Sequence, residues 1–236
     1  MRRLDEKIIM ESSSSKERIL TNIRKALTQP TDQPFPALDK VDFNFEQKDE
    51  DLAILFAEKF TSLMGKFSLC ENEEDLVNQI NGLAMERKWS EIYCTDENIR
   101  SAFSSFGFQN FSNKSLAESD AAITKCELLV ARTGSMVLSS TVSSGRTTSV
   151  YSPVHICVAK TNQLVFDVKD ALKFLQKKYG EQLPSMISFA TGPSRTADIE
   201  KTLVVGVHGP KEVYCFLLED RKSTRLNSSH EWISRM

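Results

Sequence analysis

Three arginines, one histidine and a set of hydroxyls fall into four glycine-bearing segments in the second half of the chain. These are A-R-T-G-S (131–135), S-S-G-R (143–146), T-G-P-S-R-T-A-D-I-E (191–200) and G-V-H-G-P (206–210). Of nine glycines, six lie from Gly134 onward, and five of those six fall in these segments. An arginine grips a carboxylate or phosphate through two parallel N–H bonds. Glycine lets backbone come close to a ligand. Together these types point to an anion-binding cleft.

The segment 191–200 is the richest. Thr191 and Gly192 leave a strand sharply, and Pro193 fixes φ. Ser194 and Thr196 are placed to cap a following helical turn, whose free N–H groups attract an anion. Arg195 then grips the anion, with Asp198 and Glu200 orienting it or acting as bases. The other reading is a tight strand–helix turn with Arg195 in an internal ion pair. Arg132 and Arg146 are further cationic candidates, with Thr133 and Ser135 as hydroxyl donors and Gly134, Gly145 and Gly209 as turn residues. Taken singly, each arginine reads as a surface or structural residue; taken together they make one positive pocket. His208, at a strand end beside a turn, is the candidate for acid–base work, with Asp198 and Glu200 completing the catalytic set. His155 lies near the start of an apolar strand and reads as a core histidine.

Missing motifs exclude several classes. No two glycines stand at G-x-G spacing, and G-x-x-x-x-G-K-[ST], H-E-x-x-H and G-x-S-x-G are all absent. A classical dinucleotide dehydrogenase, a P-loop NTPase, a zincin and an ordinary α/β-hydrolase are not expected. The five cysteines (70, 94, 126, 157 and 215) are scattered without a C-x-x-C pair. They read as small buried hydrophobes, not as ligands of a metal or cluster. No bound cofactor or metal is expected. Net charge is 30 − 32 = −2, which calls for neither nucleic acid nor an anionic membrane. No apolar run approaches a membrane span, and Ile8-Ile9-Met10 is too short for the core of a signal peptide, so a cytoplasmic protein is expected.

The elements that must position these residues read as an α/β domain with a mostly parallel sheet flanked by helices. Residues 1–48 form a helical arm and a linker bearing Pro30, Pro34 and Pro36. Ser12 to Ser15 offer N-caps, and Ile19, Leu20, Ile23 and Leu27 make one apolar stripe. Residues 49–219 form the main domain. Helices are predicted over 51–64, 74–88, 96–103 and 167–179, the last ended by Gly180. Strands are predicted over 66–69, 91–94, 121–131, 136–139, 154–159, 185–190, 203–207 and 213–218. The glycine segments follow or join strands, and ligands in open α/β sheets bind beyond the carboxyl ends of strands. Residues 220–236 back-translate to a sequencing-adapter oligonucleotide and read as a non-native tail.

The run ARTGSMVLSS, then SGR, SVYSPVHICVA and LPSMISFATGPSRTADIEKTLVVGVHGPKEVYCFLLED resembles the LUD-domain family, of the lactate utilization protein C type. The S-x-x-E-x-I-L-x-x-I-R-x-A-L arm (14–27) is similar to that family's N-terminus. The resemblance implies a fold like the glucosamine-phosphate deaminase, ribose-phosphate isomerase and CoA-transferase group. It implies two iron–sulfur partner subunits in a bacterial system that oxidises L-lactate to pyruvate, with this chain a component that carries no cluster. A small carboxylate such as lactate or pyruvate is then the expected ligand. The alternative is an autonomous enzyme acting on a phosphosugar or acyl-CoA. The resemblance assigns no catalytic residues.

Overall fold

Helix and strand alternate from Asp51 onward because apolar residues recur at the spacing of one and then of the other. The computed structural model describes residues 2–28, 45, 51–142, 144–199 and 202–220, with backbone alone at 2–14, 197–199 and 202–203. The chain divides into two units between Phe45 and Glu46.

The first unit holds helix α1 (Arg2–Leu27). The predicted caps Ser12 to Ser15 lie inside it, because residues 2–11 are mostly good helix formers and carry the helix past the serines. The three linker prolines lie outside the described residues.

The second unit runs α2 (Leu52–Ser62), β1 (Lys66–Cys70), α3 (Glu73–Arg87), β2 (Ile92–Tyr93), α4 (Glu97–Ser105) and β3 (Ala121–Lys125). It continues with β4 (Leu128–Val130), β5 (Ser135–Ser139), α5 (Thr148–Tyr151), β6 (Val154–Lys160), β7 (Leu164–Val165) and α6 (Val168–Tyr179). The last four strands are β8 (Ile187–Ala190), β9 (Arg195–Ile199), β10 (Thr202–Val205) and β11 (Glu212–Leu218). Short polar residues start the helices: Asp51 accepts from Ala53 N, Asn72 from Asp75 N, and Asp96 from Asn98 N and Ile99 N.

The central sheet is wholly parallel, in the order β1-β11-β6-β3-β2. Its strands alternate faces with period two. Tyr214, Phe216, Ile156 and Ile123 pack on one side against Leu76, Val77 and Ile80 of α3 and Ile99 and Phe103 of α4. Val213, Cys215, Leu217, Cys157 and Ala159 face the other side, against Phe56 and Phe60 of α2 and Met136 and Leu138 of β5. This gives the mostly parallel sheet flanked by helices that the sequence predicts.

A second sheet, β7-β4-β5-β8, is mixed, with β5 antiparallel to both of its neighbours. Its outer face is covered by Ala171 and Leu175 of α6. The single strand predicted over 121–131 is therefore two strands in different sheets. The chain leaves β3 at Cys126 and Glu127, where the Gln163 amide holds both carbonyl oxygens at 2.7 and 3.2 Å. All five cysteines are buried; burial pushes the Cys94 thiol up to about 11 and the Cys70 thiol up to about 12. Among the described residues no helix is long and apolar enough to cross a membrane, and no three His, Cys, Asp or Glu residues group to hold a metal ion.

Candidate functional site

The turn at 206–209 leads into β11, and α5 leads into β6. Both therefore stand at the amino ends of the parallel strands, not beyond the carboxyl ends expected from sequence. This end of the unit is built by two backbone hydrogen bonds and one close approach of a glycine to a side chain. Ser194 N donates to Pro210 O at 3.0 Å, and Gly206 N donates to Ser194 O at 2.8 Å. A Cβ at Gly209 would lie 2.8 Å from the Cβ of Ser194, so only glycine lets these two turns meet.

Between the sheets, under that junction, lies a cavity of about 190 Å³. Leu138, Ala190 and Val213 supply apolar wall, while Ser188, Ser194 and His208 bring polar groups. His208 is exposed. A second cavity of about 490 Å³ shares Val150, His208 and Gly209 with the first and adds Tyr151 and Lys211.

His155 also borders the smaller cavity. It is 1% exposed, with Nε2 placed 2.8 Å from Thr124 Oγ1 on β3. Burial pushes its imidazole down to about 4, so it is neutral at physiological pH. In the sequence it reads as a core histidine, because Val154, Ile156 and Val158 around it read as a buried strand. The one available signal was an ionisable residue inside that apolar run.

The structure does not gather the predicted cationic cleft. Arg132 donates to Asp167 Oδ1 through Nε at 3.0 Å and Nη2 at 2.6 Å, which ties it to the N-cap of α6. Arg146 donates to Ser185 Oγ. Arg195 is exposed at the start of β9, across from Val205. None of the three borders either cavity, and the smaller one is lined by no fixed charge.

The helix expected after Ser194 is instead the antiparallel hairpin β9–β10, so the predicted anion-binding helix N-terminus is absent there. Thr196 lies opposite Val204 in that hairpin. Asp198 is in β9 with its side chain outside the described residues, and Glu200 lies outside them altogether.

The remaining predicted residues have structural surroundings. Thr133, Ser135 and Thr191 form a hydroxyl relay with both steps 2.8 Å, joining β5 to the end of β8. Gly134, at φ +60, lies under the backbone of Lys59 and Phe60, and Gly192, at φ +81, lies under the carbonyl oxygen of Leu63. Both seat α2, and Gly192 also borders the smaller cavity. Gly145, at φ +64, faces open space. Of the predicted residues, then, Gly192, Ser194, His208 and Gly209 come together around one cavity.

A family model described as the LUD domain matches residues 53–218, which takes in both sheets and the cavity between them. The chain belongs to the LUD domain family. Among similar proteins, lactate utilization protein C 1 of Bacillus mycoides is 31% identical over 169 residues, covering 63% of this chain and 71% of that protein. Lactate utilization protein C of Bacillus licheniformis is 35% identical over 106 residues, and the matched stretch spans 44% of each chain. A crystal structure of a DUF162 family protein from Deinococcus radiodurans superposes with a TM-score of 0.53 at 17% identity. It covers 73% of this chain and 99% of that one, and at that identity the likeness shows the fold alone.

Proposed function

We propose that this LUD domain protein is a component of a lactate-utilisation system, where it binds a short carboxylic acid and leaves electron transfer to iron–sulfur partner subunits. Support for the role comes from the LUD match together with two relatives named lactate utilization protein C. Support for leaving clusters to partners comes from the thiols: all five are buried in the packed interior.

The ligand reading rests on the cavity where Ser194, Gly209 and His208 meet. Its volume of about 190 Å³ is below the roughly 300–1,000 Å³ of pockets for drug-sized ligands. That size suits a molecule of a few carbons. The Ser194 hydroxyl and the His208 imidazole can each donate a hydrogen bond to a carboxylate, and the aliphatic wall takes a methyl group.

Titration calorimetry with L-lactate and pyruvate on the purified chain tests this. Saturable binding is expected, weakened about tenfold in Ser194→Ala and in His208→Ala, the loss of one hydrogen bond to a charged group. Absence of heat with both acids, on protein that remains folded by circular dichroism, would overturn the ligand reading.

A further inference from the structure

His155 has one nitrogen on Thr124, at 2.8 Å from Nε2. Its other nitrogen, Nδ1, has no hydrogen-bond partner among the described residues. Yet no enclosed side-chain nitrogen or oxygen among them is left unsatisfied. An Nδ1 without a partner must therefore open onto space, and the space His155 borders is the cavity beneath Ser194. A residue 99% removed from solvent thus presents a hydrogen-bonding atom to a small cavity whose other polar side chains are serine hydroxyls and the His208 imidazole.

We infer that His155 Nδ1 is the floor contact of a binding site for short 2-hydroxy acids, hydrogen-bonding the 2-hydroxyl while Ser194 and His208 hold the carboxylate at the mouth. This rests on the small-acid reading proposed above and adds to it the feature of the acid that is recognised. The Thr124 contact leaves two tautomers. If the threonine hydroxyl donates to Nε2, Nδ1 carries the proton and donates to the ligand. If Nε2 donates to the threonine, Nδ1 accepts. A hydroxyl satisfies either arrangement, because it can accept or donate. Burial keeps the ring uncharged until about pH 4, so the contact survives across the physiological range. Val213, across from His155 in the neighbouring strand, and Ala190 then leave an aliphatic surface for the 2-alkyl group.

The test compares L-lactate with propionate, which lacks only the 2-hydroxyl. Wild type is expected to bind lactate about tenfold more tightly than propionate. His155→Phe keeps the ring volume and removes the nitrogens; it is expected to bind both acids equally. His155→Asn, which returns a polar atom near the Nδ1 position, is expected to regain part of the preference. The histidine ¹⁵N spectrum of the wild-type protein supplies a second readout that needs no folded variant. Lactate should shift the His155 Nδ1 resonance, and propionate should not.

Equal binding of the two acids by wild type overturns the role of His155, as does an unmoved Nδ1 resonance at lactate saturation, while leaving the small-acid reading in place. Binding of neither acid removes both.

Discussion

Among the described residues, Glu127 is the most enclosed carboxylate that carries a salt bridge, with its side chain 2% exposed. Burial alone would raise its carboxyl, but Lys178 Nζ at 2.7 Å, Ser139 Oγ at 2.5 Å and Tyr179 OH at 2.6 Å outweigh it and hold the group below the usual 4.5. A carboxyl lowered by folding stabilises the native state above its unfolded value, and that contribution is lost as pH falls through the folded value. Glu127→Gln is therefore expected to lose about 2 kcal/mol of stability at pH 7 and to show a flatter acid limb below pH 4.5 in urea titrations.

His155 acts over a different range. Its folded value is lowered from 6.5 to about 4, so the unfolded chain binds the extra proton, and stability falls as pH drops from 6.5 toward 4. The whole window is worth on the order of 3 kcal/mol. Urea titrations of His155→Phe between pH 7 and 4 should show that slope removed. At this scale the sequence was partly legible. Glycines beside Ser194 and His208 marked a real junction of turns. Arginines misled, because a guanidinium binds whatever acid the fold brings near, and Asp167 is 35 residues from Arg132.

Two glycines with the same backbone sign should behave differently because of what stands above them. At Gly134 a Cβ would come within 2.6 Å of Phe60 N, in the backbone of α2, whereas at Gly145 it would meet nothing. Gly145→Ala is expected to cost about 1 kcal/mol, the left-handed backbone penalty alone. Gly134→Ala adds overpacking against helix backbone that cannot yield, for a total of about 3 kcal/mol or more. Thermal melts of the two variants check the difference. Helices α2, α3, α4 and α6 were readable to within two residues because caps such as Asp96 and terminators such as Gly180 are local signals, whereas α1 begins well before the expected Ser12–Ser15 caps and the short α5 was not read. Of the hairpin β9–β10, the second strand was read over 203–207 but β9 was not. Residues 195–199 are held as a strand by pairing with Thr202 to Val205, a tertiary partner that local pattern does not announce.

The second unit is a stack: helices α3 and α4, the parallel sheet, the mixed sheet, then α6. Alternating helix and strand in the sequence announced the first two layers. The second sheet was hidden because its strands are short and its neighbours non-sequential, with β7 beside β4 and β8 beside β5. Burial also ranks the layers by local stability. Backbone amides of β6 and β11, which are enclosed on both faces, should exchange with deuterium most slowly, and those of the β9–β10 hairpin much faster. A mass-spectrometric exchange time course would show a hairpin as protected as β6 if this ranking is wrong.

β11 lies between β1 and β6, so the eleventh strand to be made is an interior member of the parallel sheet. A nascent chain that has emerged only as far as residue 211 holds β1 on one side and β6-β3-β2 on the other, with the slot between them open. Closing that slot joins segments about 146 residues apart, as in the Lys66–Glu212 pair. During synthesis the domain must wait, two exposed strand edges facing each other, until the ribosome has released nearly all of it.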